Sequence, residues 1–224
     1  MNAKIIKYLQ NHLPFYNDLN TSEQKMLNNS IRLIKYRPKE TVYRGLEDCT
    51  GLYLITKGEL RTYIISETGR ELTVFRLFEY DICLFSASCL LKDIDFDLIV
   101  TAQTDTEAIL IPNIVFDQLM NNIKVLSFTN RLISSRFSDV MFLIRQIIFS
   151  RFDRRLANFL IEQAAISGDN HIKITHEAIA NHIASAREVV TRMLKYFQNE
   201  KIIKLARGKI EIIDFDRLNK IGAK

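Results

Sequence analysis

Four polar side chains in the C-terminal third of the chain have the types and the spacing needed to hydrogen-bond to the edges of base pairs. Within residues 175–195, Arg187, Glu188, Thr191 and Arg192 recur at helical spacing and would share one face of a helix. An arginine can fork onto O6 and N7 of guanine, and a glutamate can accept from the amino group of cytosine. A helix that begins with Arg-Glu and carries a second arginine about one turn later therefore suits the major groove. A solvated helix with ordinary surface charges is the alternative.

The same segment predicts the elements that would hold these side chains, two short helices joined by a tight turn. Apolar residues are expected on the inward face of the two helices: Ile179, Ile183, Val189, Val190, Met193 and Leu194. Thr175 and Ser185 suit the N-caps of the first and second helix. Ser185 and Glu188 also match a capping box, in which Glu188 would fold back onto its own helix start. We favour a base contact for Glu188, because the two arginines and the glutamate occur together.

A basic hairpin is predicted directly after the second helix. Two apolar runs, residues 202–205 and 210–213, flank a turn at Arg207-Gly208. Helix, turn, helix and hairpin in this order describe a winged helix-turn-helix. Arg207 and Lys209 would then lie at the tip of the wing, where a phosphate backbone could pass.

The formal charge of the chain is concentrated in the same region. Residues 151–224 contain 14 Lys and Arg against 9 Asp and Glu, a net of +5, and the whole chain has 31 against 26, also +5. Residues 1–150 are therefore balanced. This distribution is expected if only the last third contacts a polyanion, although an excess of this size is modest.

The first half of the chain predicts a sheet-rich domain. Short β-leaning runs follow one another at residues 41–45, 51–58, 59–65, 70–77, 96–102 and 107–111. Four of the seven glycines in the chain lie in the turns around the first four runs. Closely spaced antiparallel strands of this kind form a β-roll or jelly roll. Ahead of them, the run that begins at Asn20 predicts a small capped helix.

After Pro112 the pattern becomes helical. Seven residues recur at alternating spacings of 4 and 3: Leu126, Asn130, Ile133, Phe137, Val140, Ile144 and Ile147. This is a heptad seam, and its one polar member, Asn130, is the type of residue that fixes register in a paired coil. A second stripe is expected to pack against the β-roll: Phe128, Leu132, Met141 and Ile148. One helix packed on its own domain is the alternative; we favour a homodimer, since dimers bind paired half-sites.

The predicted fold class is α+β, with a β-roll (jelly roll) over residues 1–123, a long dimerisation helix over 124–150 and a winged helix-turn-helix over 151–224. The 224 residues suffice for two domains with their own cores. No apolar stretch is long enough to cross a bilayer, and the first residues lack the apolar core of a signal peptide. A cytoplasmic location without a membrane partner is therefore expected. Three cysteines are too few, and odd in number, for a disulfide framework.

An enzyme is the main alternative class. The β-roll resembles cupin folds, whose metal chemistry needs clustered His and carboxylate ligands, but residues 41–111 contain no His. The chain also has neither a phosphate-binding glycine loop nor a convincing nucleophile–base pair. We therefore predict no catalytic residues and no metal site. A sensor module that regulates a protein partner without DNA is a second alternative, which the intact recognition helix and wing disfavour.

Over nearly its whole length the chain resembles the Crp/Fnr family of transcription regulators. The matching motifs are Gly51-x-Tyr-Leu-Ile-x-x-Gly58, Gly69-Arg-Glu71 and Thr175-His-Glu-x-Ile-Ala…Ser-x-Arg-Glu-x-Val-x-Arg192. The resemblance implies that a homodimer binds a palindromic promoter site in double-stranded DNA and raises or lowers transcription, as an activator or repressor that also contacts RNA polymerase. It implies that Arg187 and Arg192 contact guanines and that Glu188 contacts a cytosine of TGTGA-like half-sites.

The signal sensed by the β-roll is a separate question. The cyclic-nucleotide branch of the family neutralises the cyclic phosphate with an Arg. This chain has no Arg between Arg76 and Arg131 and has seven acids within residues 79–107, which argues against cyclic AMP. The oxygen-sensing branch uses four thiolates for an iron–sulfur cluster, and three cysteines cannot supply them. Haem needs an axial Cys or His and is disfavoured, because no His lies between His12 and His171. No cofactor is identified.

An effector pocket is still expected where the family places its ligand. Its candidate lining residues are Cys83, Phe85, Ser86, Ser88 and Cys89. Cys83 and Cys89 could form a thiol switch or a soft-metal pair, which would make the protein a redox-responsive regulator. They could equally be two buried cysteines that act as small hydrophobes, which is the interpretation we favour. A small neutral or cationic ligand is the other candidate for this pocket.

Overall fold

The computed structural model describes most of the chain, namely residues 3–44, 50–84 and 98–223. Two compact units are present, one built from residues 1–64 and 74–139 and one from residues 65–73 and 140–224. An antiparallel β-roll with helices, followed by a helix-turn-helix, confirms the predicted α+β class. Among the described helices, none combines the length and the hydropathy that a bilayer-spanning segment needs. The domain boundaries at residues 123 and 150 stay predictions.

The chain begins with two helices, α1 (Ala3–His12) and α2 (Thr21–Ser30). Asn20 is the N-cap of α2, as its sequence predicts: its side chain accepts hydrogen bonds from the backbone N–H groups of Ser22 and Glu23 at 2.9 and 3.0 Å. The Glu23 carboxylate accepts in return from the Asn20 backbone N–H at 2.8 Å. This capping box satisfies donors that the first helical turn leaves without intrahelical partners. The predicted capped helix is therefore confirmed.

The described part of the β-roll comprises eight strands: β1 (Arg32–Tyr36), β2 (Thr41–Arg44), β3 (Gly51–Lys57), β4 (Leu60–Ile65), β5 (Glu71–Leu77), β6 (Ile82–Cys83), β7 (Ile99–Ala102) and β8 (Thr106–Pro112). They form two four-stranded sheets, with the strand orders β1-β8-β3-β6 and β2-β7-β4-β5. The pairs β1–β8, β3–β8, β2–β7 and β4–β7 are antiparallel. Side chains from both sheets meet in one buried cluster, which includes Tyr53, Leu60, Val100 and Leu110.

Among the described residues, the β-roll has two strands that the sequence did not predict, and a third such strand, His171–Ile172, lies in the C-terminal part. Strand β1 carries the charged residues Arg32 and Lys35, so its sequence does not show the apolar pattern of a strand. It nevertheless pairs with β8 along its whole length. Lys35 Nζ lies 2.6 Å from a carboxylate oxygen of Glu107 on the facing strand. Strand β6 has only two residues, which is too short for a periodic pattern. The strand expected at residues 96–102 is found as Ile99–Ala102, and its first two residues lie outside the described part of the chain.

Replacing Gly51 with alanine is expected to destabilise the β-roll more than the same change at Gly69. Gly51 has φ +143°, and a Cβ there would overlap the backbone oxygen of Ile111 on β8, whereas Gly69 has φ +78° with open space around it. The Gly69 variant therefore carries only the backbone penalty of about 1–2 kcal/mol. Urea unfolding of both variants measures the difference. Equal losses in the free energy of unfolding would show that β3 and β8 leave room for a Cβ at residue 51.

Two helices follow the β-roll, α3 (Asn113–Leu119) and the 27-residue α4 (Ile123–Phe149). The first turns of α4 pack through Phe128, Leu132 and Ile133 against a cluster formed by the β-roll and the N-terminal helices. Further along, large apolar side chains are exposed: Phe137, Met141, Phe142, Ile144, Ile148 and Phe149. The expectation that Met141 and Ile148 pack on the β-roll is therefore wrong. At a rise of about 1.5 Å per residue, the 27 residues of α4 correspond to a helix about 40 Å long.

The C-terminal part is a small α+β fold of its own. Its elements are α5 (Phe152–Ser167), β9 (His171–Ile172), α6 (His176–His182), α7 (Arg187–Asn199), β10 (Ile203–Ala206), β11 (Lys209–Ile212) and α8 (Phe215–Ala223). The three strands form a sheet in the order β10-β11-β9. Helices and sheet share one buried core, to which Leu160, Ile179, Leu194, Ile210 and Leu218 contribute.

Candidate nucleic-acid interface

The first helix of the predicted pair, α6, is capped as its sequence indicates. Thr175 precedes it with extended backbone, and its hydroxyl accepts a hydrogen bond from the Ala178 backbone N–H at 3.1 Å. Ile179 and Ile183 are buried, which fixes the orientation of α6 on the core. The predicted N-cap at Thr175 and the inward face of α6 are confirmed.

The second predicted cap, Ser185, is wrong. The N-cap of α7 is Ala186, with φ −88° and ψ 144°, and no side chain caps the helix. Ser185 belongs to the preceding turn, where its backbone N–H donates to Ala180 O at 3.0 Å. Ala184 makes that turn with φ 52°, a left-handed conformation that alanine rarely adopts and that its sequence does not signal. The capping box between Ser185 and Glu188 is therefore not formed, and Glu188 is left exposed.

The outward face of α7 carries the predicted polar set. Arg187, Glu188 and Arg192 are exposed, while Val190 and Leu194 are buried. Val189, which was expected on the inward face, is 37% exposed, because it lies between the two faces of the helix. Among the residues that the structure describes, no carboxylate lies within ion-pair distance of Arg187 or Arg192. Both guanidinium groups are therefore available to an acceptor from outside the chain.

Thr191 differs from its neighbours because its hydroxyl is already engaged. It is half-buried, and its Oγ1 donates to the backbone oxygen of Arg187 at 2.9 Å. The same Oγ1 lies 2.9 Å from Nδ1 of His176, the first residue of α6. Thr191 thus connects the start of α6 to the second turn of α7.

The predicted wing is confirmed as the hairpin of β10 and β11. Ala206 pairs with Lys209, so Arg207 and Gly208 are the two turn residues. Gly208 has φ 70°, a left-handed backbone conformation that glycine adopts without the steric penalty of a Cβ. Arg207 and Lys209 are exposed. The hairpin is held by buried Ile203, Ile210 and Ile212 on the face that contacts the core.

The helices and the wing meet at one open cleft. It is lined by Ile174, Thr175, His176, Glu177, Arg187, Ala206, Gly208, Lys209 and Ile210. The cleft brings together two cations from different elements, Arg187 of α7 and Lys209 of the wing. His176, the first residue of α6, lines the same cleft, and the Thr-His-Glu pattern at the start of this helix does not by itself indicate that the wing lies nearby.

Replacing Thr175 with alanine is expected to lower the free energy of unfolding by about 0.5–2 kcal/mol, because the Ala178 N–H loses the hydroxyl that accepts its hydrogen bond. Ser185→Ala is the matched control, since Ser185 caps neither helix and its substitution should stay within about 0.5 kcal/mol. Urea unfolding followed by circular dichroism measures both. A larger loss in the Ser185 variant would contradict the cap assignment.

The predicted effector residues can be placed only in part. Cys83 is fully buried in the core between the two sheets of the β-roll, which agrees with its role as a small hydrophobe. Phe85, Ser86, Ser88 and Cys89 lie outside the described residues. Within the described ranges, no group of three or more His, Cys, Asp or Glu side chains is close enough to hold a metal ion. The predictions on cyclic AMP, the iron–sulfur cluster and haem stay predictions.

Comparison with known proteins agrees with this architecture. A family model described as the Crp-like helix-turn-helix domain matches residues 154–221, and one described as the cyclic nucleotide-binding domain matches residues 33–122. A crystal structure from Eubacterium rectale, described as a transcriptional regulator of the crp/fnr family, is 46% identical in sequence. The superposition covers 96% of this chain and 100% of that chain, with a TM-score of 0.93.

More distant relatives also match most of the chain. The "Global nitrogen regulator" of Nostoc sp. is 26% identical over 187 residues, which are 79% of this chain and 83% of the relative. A CRP/FNR-family regulator from Thermus thermophilus, 20% identical with a TM-score of 0.71 over 86% of this chain and 99% of that chain, has the same fold. These relatives are described as regulators, and none of them as an enzyme. The chain belongs to the Crp/Fnr family of transcription regulators.

Proposed function

We propose that this regulator binds a palindromic site in double-stranded DNA as a homodimer, with α7 in the major groove and the wing on the phosphate backbone. The observation that carries the proposal is the cleft at which the starts of α6 and α7 meet the wing. Arg187 and Lys209 line it together, although 22 positions separate them in the chain. A backbone that passes between a helix and a wing would meet both cations, while the exposed face of α7 enters the groove.

The exposed face of α7 suits base recognition. Arg187 and Arg192 would each fork onto a guanine, and Glu188 would accept from a cytosine, as in TGTGA-like half-sites. The exposure of Glu188 supports this role, because the competing capping box is not formed. Thr191 has its hydroxyl engaged within the protein, so its methyl group is what it offers to a thymine.

Residues around the exposed face of α7 would contact the phosphates. Arg207 and Lys209 are exposed at the wing, and Thr175 lines the cleft together with Lys209. The Ser185 hydroxyl, which caps neither helix, is a further candidate. Contacts of this kind fix the position of the protein on DNA without selecting a sequence.

The exposed heptad face of α4 supports dimerisation. Phe137 is 66% exposed and Ile144 is 40% exposed in the single chain, at the same position of successive heptads. Asn130, one heptad earlier, is exposed as well. Large apolar side chains repeated at this spacing are stabilised when a second helix covers them. Two chains related by a two-fold axis would then present two copies of α7 to the two half-sites.

The remaining partners follow from the class of protein. A transcription regulator acts at chromosomal DNA, so we place this one in the cytoplasm with RNA polymerase as its further partner. The β-roll would bias the dimer toward or away from DNA in response to a small-molecule or redox signal.

Binding to defined duplexes tests the proposal. The full-length reduced protein is titrated by fluorescence anisotropy against a labelled duplex with two inverted TGTGA half-sites and against a scrambled duplex. We expect the palindrome to bind at least about 1,000-fold more tightly, with two chains per duplex. Equal affinities for the two duplexes, with and without cell extract as a source of effector, would contradict the base-reading role of α7.

A further inference from the structure

His176 lines the cleft, and the proposed DNA contacts give it no role. It is the first residue of α6 and is half-buried, and its Nδ1 lies 2.9 Å from Thr191 Oγ1. The Thr191 hydroxyl has one hydrogen, which it donates to Arg187 O. The oxygen therefore accepts from His176, which assigns the neutral imidazole to the Nδ1–H tautomer. Among the described residues, no hydrogen bond engages the other ring nitrogen, Nε2.

The electrostatic surroundings of His176 are dominated by cations. The charged groups that line the cleft with it are Glu177 on α6, Arg187 on α7 and Lys209 on the wing. Burial, and secondarily the positive charge of Arg187, lower the pKa of His176 below its ordinary value. The imidazole of the free protein is therefore neutral at neutral pH, and Nε2 carries a lone pair that cannot donate to a phosphate.

We propose that His176 makes a proton-linked contact with the DNA backbone: on binding, Nε2 takes up a proton and the imidazolium donates a hydrogen bond from Nε2 to a phosphate oxygen. Nδ1–H keeps its bond to Thr191, so the ring is held in place by α7 while it contacts the phosphate. The proton comes from solvent, and no covalent bond is formed or broken. This inference rests on the proposed function, because it places the backbone in the cleft.

The proposed contact makes DNA binding tighter at lower pH. A phosphate beside the imidazole favours its charged form, so the pKa of His176 is higher in the complex than in the free protein. DNA binding therefore takes up protons and becomes tighter as the pH falls through the range between the two pKa values. One proton per chain changes the affinity by up to about tenfold per pH unit, and a dimer takes up two.

His176→Gln tests the contact. Glutamine can still hydrogen-bond to Thr191 but takes up no proton near neutral pH. His171→Gln is the matched control: His171 is exposed on β9, lies 3.0 Å from Asp169, and does not line the cleft. Dissociation constants of the three full-length proteins are measured from about pH 8 to about pH 6. The probes are the palindromic duplex and, at low salt, the scrambled duplex.

The parent and the His171 variant are expected to bind both duplexes at least about tenfold more tightly at the lower pH, and the His176 variant is expected to lose this gain. At the lower pH the logarithmic salt dependence of the parent should also be steeper than that of the His176 variant, by about 0.9 for each histidine, since each imidazolium neutralises one phosphate. A merely structural role for His176 would not change this slope.

The measurements distinguish a failure of the His176 contact from a failure of base recognition by α7. If His176→Gln keeps the parent's pH dependence and salt slope on both duplexes, the inference is wrong while the palindrome preference can stand. If the parent shows no palindrome preference but the His176-dependent gain appears on scrambled DNA, the phosphate contact holds and the base-reading proposal fails.

Discussion

Replacing Arg187 and Arg192 together with alanine is expected to remove most of the preference for the palindrome. Each arginine that forks onto a guanine contributes about 1–3 kcal/mol of discrimination, and a dimer uses each arginine twice. The double variant should therefore lose at least about 4 kcal/mol, or about 1,000-fold, in affinity for the palindrome. Anisotropy titrations on palindromic and scrambled duplexes measure this loss. Binding to scrambled DNA should weaken much less.

The matched control for the arginine variant is Lys195→Ala, which removes an exposed cation from the same helix outside the predicted base-reading set. Its palindrome preference should equal that of the parent. Because Arg187 and Arg192 are exposed, their replacement should change the free energy of unfolding by no more than about 0.5 kcal/mol for each site. A double variant that is stably folded and still prefers the palindrome would show that the specificity comes from other residues.

Placing a carboxylate in the heptad seam of α4 is expected to separate the dimer. Phe137→Glu removes a large apolar side chain from each of the two helices and puts two like charges opposite each other. The loss of apolar burial, about 2 kcal/mol per chain, raises the dimer dissociation constant by about 1,000-fold before the repulsion is counted. Sedimentation velocity at micromolar concentration should give a dimer for the parent and a monomer for the variant.

Ser135→Glu is the control for the dimer variant, because Ser135 is exposed and lies on the side of the helix opposite to Phe137. This variant should remain a dimer and keep the affinity of the parent for the palindrome. The Phe137 variant should bind the palindrome no more tightly than a duplex with a single half-site. A Phe137→Glu protein that stays dimeric would show that another surface joins the two chains.

The sequence predicted those elements in which local pattern and tertiary packing agree. Asn20 caps a helix because its neighbour Glu23 completes a capping box, which is a purely local interaction. The wing was also predictable from local sequence, because a glycine between two apolar runs permits a turn, and Gly208 indeed has the left-handed backbone conformation. In both cases the residue type itself indicates the backbone conformation.

The predictions failed where the fold imposes a conformation that the residue type does not indicate. Ala184 adopts positive φ in the turn before α7, which moves the N-cap from Ser185 to Ala186. Strand β1 could not be predicted because its stability comes from pairing with β8, far away in the chain. The cleft that His176 shares with Lys209 could not be predicted for the same reason, since it exists only when the wing folds back against the two helices.

Selection of bound sites from random duplex DNA, with the full-length reduced protein and its Arg187→Ala, Arg192→Ala variant in parallel, tests the central claim most directly. The parent should enrich a palindrome whose half-sites carry G·C pairs at the positions contacted by Arg187 and Arg192. The variant should lose those G·C pairs while the half-site spacing, which the dimer sets, is unchanged. A parent that enriches no palindrome, with or without cell extract, or a variant that selects the same G·C pairs as the parent, would contradict the assignment of α7 as the base-reading helix.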